Sequence, residues 1–263
     1  MSNIHPTAII EDGAKIGNNV KIGAFVVISS QATIGDNTTI DAHAIIEGKT
    51  TIGSGNHIFS HAVVGSIPQD LKFHGEEVEL IIGDNNRIRE FTLINPGTEG
   101  GGSVTRIGNN NLLMGYVHLG HDVMLGDNCI LANGATLAGH VVLGDRVVIG
   151  GLTPVHQFVH IGDFAMIAGA SALSQDVPPY CMAEGNRATL RGLNLTGLRR
   201  HIDRDEINRL KSVYRELFES GEPLKESAER LLKEENSKIV KNLLEFVTNS
   251  KRGIPFTRKN ING

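Results

Sequence analysis

The chain has no tryptophan, aromatic residues make up only 5% of its 263 positions, and there are two cysteines. Scarce rings argue against a core of large flat side chains. A hydrophobic content of 40% with 31 glycines suits small aliphatic residues and many tight turns instead. Cys129 and Cys181 give no disulfide framework and read as ordinary thiols of a reducing cytoplasm. No apolar run reaches about 18 residues, so no membrane-spanning helix is expected. The opening "MSNIHPTAII" lacks a basic segment followed by an apolar one, so no signal peptide is expected. The length allows one large domain or two modest ones.

Charge is unevenly placed. Residues 1–186 carry 8 Lys/Arg against 18 Asp/Glu, and residues 187–263 carry 17 against 11, within a net charge of −4. A basic C-terminal part on an acidic body suits an anionic partner, although helices rich in Lys and Arg would give the same count. Nothing in this pattern asks for nucleic acid.

The dominant signal is a period of six. Steps of six from Ile10 reach Ile16, Ile22, Ile28, Ile34, Ile40, Ile46, Ile52, Ile58 and Val64. The phase restarts at Ile82 for three steps, and again at Ile107, from which it runs to Leu173, giving 25 hexads in all. A six-residue unit is one short strand plus one turn. Its aliphatic residue points inward, and its turn takes Gly, Asn or Asp, which tolerate positive φ. Three units close a triangular coil, and coils stack about 4.8 Å apart by parallel pairing. The repeat therefore predicts a parallel β-helix. Its interior has room for small aliphatic side chains, so polar residues are expected to point outward.

Two segments break the period, at about 66–80 and 95–106, and must loop out of the prism. Loops on a rigid solenoid are where function concentrates, and Asp70 and Lys72 in the first are polar candidates. The rhythm stops after "SQDVPPYCMAEGNRATL". From about Asp203 the spacing is helical, with Asp203 and Glu206 in the pattern of a capping box. Ile207, Leu210, Tyr214, Leu217 and Phe218 fall on one face. Further helices are expected at 224–234 and about 237–248. The division is a β-helix over 1–190 and a helical C-terminal domain over 191–263.

Candidate chemistry gathers in "YVHLGHDVMLGD" and after it: His118, His121, His140, His156 and His160 lie within a few coils. His121 and His140 are one coil plus one residue apart and should sit nearly above each other. Three readings stay open on spacing alone. His121 could be a general base whose tautomer is fixed by Asp122. Several histidines could bind zinc across a subunit boundary. Or the rings could be surface decoration. Either chemical reading favours a trimer, because one prism has no deep cleft.

The run "NLLMGYVHLGHDVMLGDNCILANGATLAGHVVLGD", followed by "IGGLTPVHQFVHIG" and "SQDVPPYCMAEGNRAT", closely resembles the bacterial UDP-N-acetylglucosamine O-acyltransferases, which start lipid A synthesis. The resemblance extends to "QDLK", "RIRE" and the C-terminal helices, and so covers essentially the whole chain. It implies a left-handed β-helix, a cytoplasmic homotrimer, and transfer of an (R)-3-hydroxyacyl group from acyl carrier protein to the 3-position of UDP-N-acetylglucosamine. His121 is then the general base, Asp122 its orienting partner, and the Gly139 N–H the donor to the oxyanion. Asp70 and Lys72 match residues that hold the sugar nucleotide. His118, His140, His156, Gln157 and Asn194 match residues lining the same cleft, and Arg200 an arginine near the phosphates. Arg199, Arg200 and Arg204 could steer the acidic carrier. Gly169 matches the floor of the acyl channel, where a glycine leaves room for a long chain. No metal or bound organic cofactor is implied; the acyl group arrives on phosphopantetheine.

The chain also departs from the pattern. It reads "INPGT" where better-known members read "IHRGT", so Asn95 stands where a histidine contacts the sugar nucleotide. A 3-amino sugar, acylated to an amide, is the alternative acceptor. A second arginine expected after Arg200 is His201, and Gly120 stands where alanine is common. Among rivals, the related N-acyltransferases carry a uridine-binding domain before the β-helix, and hexads beginning at Ile10 leave no room for it. A metal-dependent hydratase on the same repeat is the other enzyme reading. A non-catalytic β-helix gives no reason for the loops or the histidines.

Overall fold

The computed structural model describes residues 3–256; positions 257–263 of the expected C-terminal domain lie outside them. Short strands, most of two residues, recur every six residues and stack into three sheets of 11, 8 and 8 strands, in which each strand of the coils neighbours the one three strands on; the last two strands of the 11-stranded sheet are a terminal hairpin. Pairing between coils is parallel, and like residues sit over like. Along one sheet the register runs Ile10↔Ile28↔Ile46↔Val64↔Ile94↔Leu119↔Leu137↔Val155. From Ile22 to Leu173 every aliphatic residue of the period is at most 4% exposed. Each buries against its copies above and below, so the prism carries one continuous apolar column and stability runs along its axis.

The repeat begins one strand before Ile10. Asn3–Ile4 pairs with Lys21–Ile22, but Ile4 is 43% exposed because no coil covers it. Both excursions leave the same edge. The chain departs after Val63–Val64 and after Leu93–Ile94, and rejoins the next sheet at Glu79–Ile82 and Val104–Ile107. It rejoins three residues before Ile82 and Ile107, earlier than the period suggests, because these strands extend to four residues to pair Glu79 with Lys49 and Val104 with Glu79.

Two expectations of the repeat need correction. The interior is not purely aliphatic. Buried Thr38, Asn56, Asn86 and Asn111 form a polar ladder inside one edge. Asn56 Oδ1 accepts the Asn86 N–H at 2.8 Å, Asn86 Oδ1 the Asn111 N–H at 2.9 Å, and Asn111 Oδ1 the Cys129 N–H at 2.7 Å. A carboxamide is small enough to fit a corner, and it pairs turn backbone groups that would otherwise be buried unsatisfied. Nor are the left-handed turn positions reserved for Gly, Asn and Asp. Phe25, His43, His61, Phe91 and Tyr116 all have φ between 57° and 64°. Their rings stack in one column at 4.9–5.1 Å. The rung spacing places ring on ring, and the stacking offsets a conformation that side chains ordinarily avoid.

A hairpin, Cys181–Glu184 with Thr189–Leu193, caps the last coil. Four helices follow: α1 (Leu195–Leu198), α2 (Arg204–Glu219), α3 (Leu224–Glu234) and α4 (Lys238–Asn249). α1 has no sequence signal because it is a single turn, capped by Asn194 Oδ1 accepting the Gly197 N–H. Buried Ile207, Leu210, Val213, Leu217 and Phe218 pack α2 against the other helices. The Asp203–Glu206 capping box does not form: the Asp203 side chain makes no cap bond, and the Glu206 carboxylate instead accepts the Ser237 hydroxyl. The buried Asp176 carboxylate ties the C-terminal segment to the prism, accepting the His160 N–H at 2.8 Å and the Ser250 hydroxyl at 2.7 Å.

Candidate active site

The edge that sends out both loops also carries the turns His121–Asp122, Gly139–His140 and Gln157–Phe158. Each lies between a strand of the sheet holding Leu119 and a strand of the sheet holding Leu125. The period of 18 residues per coil therefore brings the two loops and the histidine turns to one place.

Asp122, 4% exposed with φ +59°, is the hub. Its Oδ2 lies 2.8 Å from His121 Nδ1 and 3.7 Å from His140 Nδ1. Thr98, from the second loop, donates its N–H to Oδ1 at 2.9 Å and its hydroxyl to Oδ2 at 2.6 Å. The Asp122 N–H in turn donates to Thr105 Oγ1 at 2.8 Å. With Nδ1–H of His121 engaged, Nε2 is left as the acceptor nitrogen of a neutral ring. The His121 and His140 rings meet edge to face at 4.9 Å, and His140 stacks on Phe158 at 4.3 Å. Burial pushes the His140 pKa down, partly opposed by the Asp122 charge. The ring therefore favours its neutral form near neutral pH.

Gly139 lies against His121. A Cβ there would stand 2.5 Å from the imidazole Cε1, so only glycine lets the ring occupy this position. Its N–H has no protein acceptor among the described residues. His118 is on the adjoining sheet, where its Nδ1–H donates to Leu93 O at 3.2 Å and burial lowers its pKa.

A cleft of about 420 Å³ joins Asp70, Lys72, Thr98, His140 and Phe158. The first loop thus brings its two polar candidates to His140. Asp70 is itself shaped by a turn, its Oδ1 accepting the Lys72 N–H at 3.0 Å. Asn95 is 1% exposed; its Nδ2 donates to Ser66 O at 2.9 Å and Ile67 O at 3.1 Å, bracing the base of that loop.

Other expected residues lie outside this cleft within one chain. His156 is exposed in a separate hollow beside Arg187. Gln157 is exposed one turn position before Phe158. Asn194 is buried at a different edge, its Nδ2 donating to Phe164 O. Arg199, Arg200 and Arg204 are exposed and make no ion pair among the described residues. At Gly169 a Cβ would meet only Gly151, at 3.4 Å, so a side chain there would project outward.

Thr98, Thr105 and Phe158 carry the site and were not singled out by sequence reasoning. Phe158 had a usable signal, since it lies 18 residues after His140 at the same turn position. Thr98 sits in an aperiodic loop, where spacing gives no address. The ligand atoms of His121, Asp122 and His140 lie within 4.8 Å of one another, close enough for a metal ion. Both oxygens of Asp122 already accept hydrogen bonds from Thr98. Cys129 and Cys181 are buried and unpaired, and burial raises the Cys129 thiol to about 12, which makes it inert.

Residues 176–255 match the family model described as UDP N-acetylglucosamine O-acyltransferase, domain 2. Residues 1–30 and 105–139 match the bacterial transferase hexapeptide repeat. The chain is 73% identical to the acyl-[acyl-carrier-protein]–UDP-N-acetylglucosamine O-acyltransferase of Sulfurovum sp. over 98% of this chain and 100% of that protein. It is 75% identical to the protein of the same name from Sulfurimonas denitrificans, over 99% of this chain and 100% of that protein. A solved structure, the UDP-N-acetylglucosamine acyltransferase from Campylobacter jejuni, superposes with a TM-score of 0.94 at 52% identity, over 97% of this chain and 100% of that one. The prism is thus a left-handed β-helix of the hexapeptide class.

Proposed function

The chain belongs to the acyl-[acyl-carrier-protein]–UDP-N-acetylglucosamine O-acyltransferase family, and from that premise we propose that it performs this transfer, the first step of lipid A synthesis, with His121 as general base. His121 Nε2 takes the proton of the sugar 3-hydroxyl as its oxygen attacks the thioester carbonyl carbon of the (R)-3-hydroxyacyl donor. The carbonyl electron pair moves to oxygen, where the free Gly139 N–H stabilises it. As the tetrahedral centre collapses the C–S bond breaks, and the proton held on His121 passes to the departing phosphopantetheine sulfur. The products are the 3-O-acyl sugar nucleotide and the carrier thiol. No metal takes part in these steps.

The observation that carries this reading is the Asp122–His121 pair beside Gly139: a ring nitrogen, its orienting carboxylate and an unpaired backbone donor in contact on one edge of the prism. Asp70 and Lys72 bind the sugar nucleotide from the first loop, with His118 and His140 beside them. Asn95 acts on this loop from its base. His156, Gln157, Asn194 and Arg200 complete the site from a neighbouring copy in a homotrimer, which accounts for their standing outside the cleft in one chain. Gly169 sets the acyl length, and the exposed Arg199, Arg200 and Arg204 meet the acidic carrier. The helical part after residue 190 is the carrier-facing domain, and the reaction takes place in the cytoplasm; none of the described helices is long and apolar enough to cross a membrane.

The test is an assay of purified protein with a ladder of 3-hydroxyacyl carriers and with UDP-N-acetylglucosamine or its 3-amino analogue. Ester formation on the natural sugar is expected. Product only with the amino sugar moves the acceptor to the alternative. No product with either, together with stoichiometric zinc, favours the hydratase.

A further inference from the structure

The carboxylate behind His121 is held by a loop and not by its own coil. Asp122 and Thr98 are 4% and 6% exposed, so water cannot replace their bonds. Thr98 satisfies both carboxylate oxygens, N–H to Oδ1 and hydroxyl to Oδ2. The loop is shaped to do so. Thr98 O accepts the Gly101 N–H at 3.0 Å and the Ser103 N–H at 2.8 Å, closing a turn around the carboxylate. A Cβ on Gly101 would collide with that carboxylate. The segment 95–103, which breaks the six-residue period, therefore delivers two donors to one buried anion.

Geometry makes the hydroxyl the sensitive contact. Oδ2 receives it and also faces His121 Nδ1 at 2.8 Å, while His140 Nδ1 stands 3.7 Å from the same atom. One hydrogen bond leaves a carboxylate free to turn about its terminal torsion, which has a broad, soft profile. The Thr98 N–H holds Oδ1 in place, and among the described residues the hydroxyl is the one polar contact at Oδ2 that comes from outside the two histidines. Without it Oδ2 is shared between His121 and His140 alone, and its alignment on His121 loosens.

We infer that Thr98 is a positioning residue for acyl transfer, its hydroxyl locking the Asp122 carboxylate onto His121 and away from His140. The inference rests on His121 being the base, and it assigns a purpose to the second loop.

The test is steady-state kinetics on the full chain carrying Thr98→Val, Thr98→Ser, Asp122→Asn, Asp122→Asn with Thr98→Val, and His121→Ala. Thr98→Val should lower kcat about 10- to 100-fold, the rate equivalent of one hydrogen bond to a charged group. Both KM values should stay within about twofold, because a positioning residue does not touch substrate. Thr98→Ser should restore most of the rate. In the Asp122→Asn background, Thr98→Val should cost less than about twofold, since the carboxylate that the hydroxyl aligns on His121 is already gone. Thr98→Ala takes the place of Thr98→Val if the valine methyl prevents folding. Wild-type kcat in Thr98→Val, or an equal loss in both backgrounds, overturns the inference; the latter marks a structural staple. A His121→Ala protein that stays active overturns the base reading itself, whereas an inactive one beside a fully active Thr98→Val overturns Thr98 alone.

Discussion

Gly139 and His121 are matched by contact: the glycine lies so close to the imidazole that a Cβ would stand 2.5 Å from its Cε1. Gly139→Ala should therefore displace the ring and crowd the oxyanion position, lowering kcat by about 10²-fold or more. The rest of the coil offers no reason for unfolding. The expected signature is an inactive protein with a near-normal melting temperature. Retained activity would show that the ring does not work from this position.

Half-buried His118 gives a pH dependence of stability. Burial holds its folded-state pKa below the ordinary 6.5, against a smaller opposing effect of its bond to Leu93 O. The unfolded chain binds that proton first as pH falls. The His118 contribution is thus intact above about pH 6.5 and is lost as pH drops through the folded-state value. Urea midpoints of wild type and His118→Asn, compared from about pH 7.5 to 5.5, should show the steeper decline in wild type. Parallel curves contradict this.

The polar ladder makes a prediction in the opposite sense to an aliphatic core. Asn86→Leu removes the acceptor of the Asn111 N–H and the donor to Gly108 O. Leaving such groups buried and unpaired costs about 2–4 kcal/mol in total, despite the added apolar surface. Chemical denaturation checks it, and an unchanged or raised midpoint would mean that the corner holds water.

These cases show what the chain discloses before its structure. Inward aliphatic residues recur with the coil, so the prism, its sheets and the placing of His121 beside His140 are all legible from spacing. Asn56, Asn86 and Asn111 are not, because the loops offset them by 30 and then 25 positions and because a polar residue carries no inward mark. Thr98 is invisible for a related reason: its partner is fixed by loop shape, which no period encodes. Asn194 and Arg200 are recognisable by resemblance, yet one chain leaves them away from His121.

Gly169 offers a specificity test. A side chain there meets only ordinary contact with Gly151, so Gly169→Met should fold and project its chain outward. Competition between carriers of graded length should shift toward shorter donors by about tenfold or more, since each excluded methylene is worth about 0.8 kcal/mol. Unchanged preference would mean that the acyl chain does not reach this glycine.

The central claim is that His121, aimed by Asp122, removes the proton of the attacking group. Turnover of His121→Ala, measured on folded and correctly assembled protein with acyl carrier and UDP-N-acetylglucosamine, tests it most directly. A fall of about 10²- to 10⁴-fold in kcat is expected for loss of a general base. Turnover close to that of wild type would contradict the account.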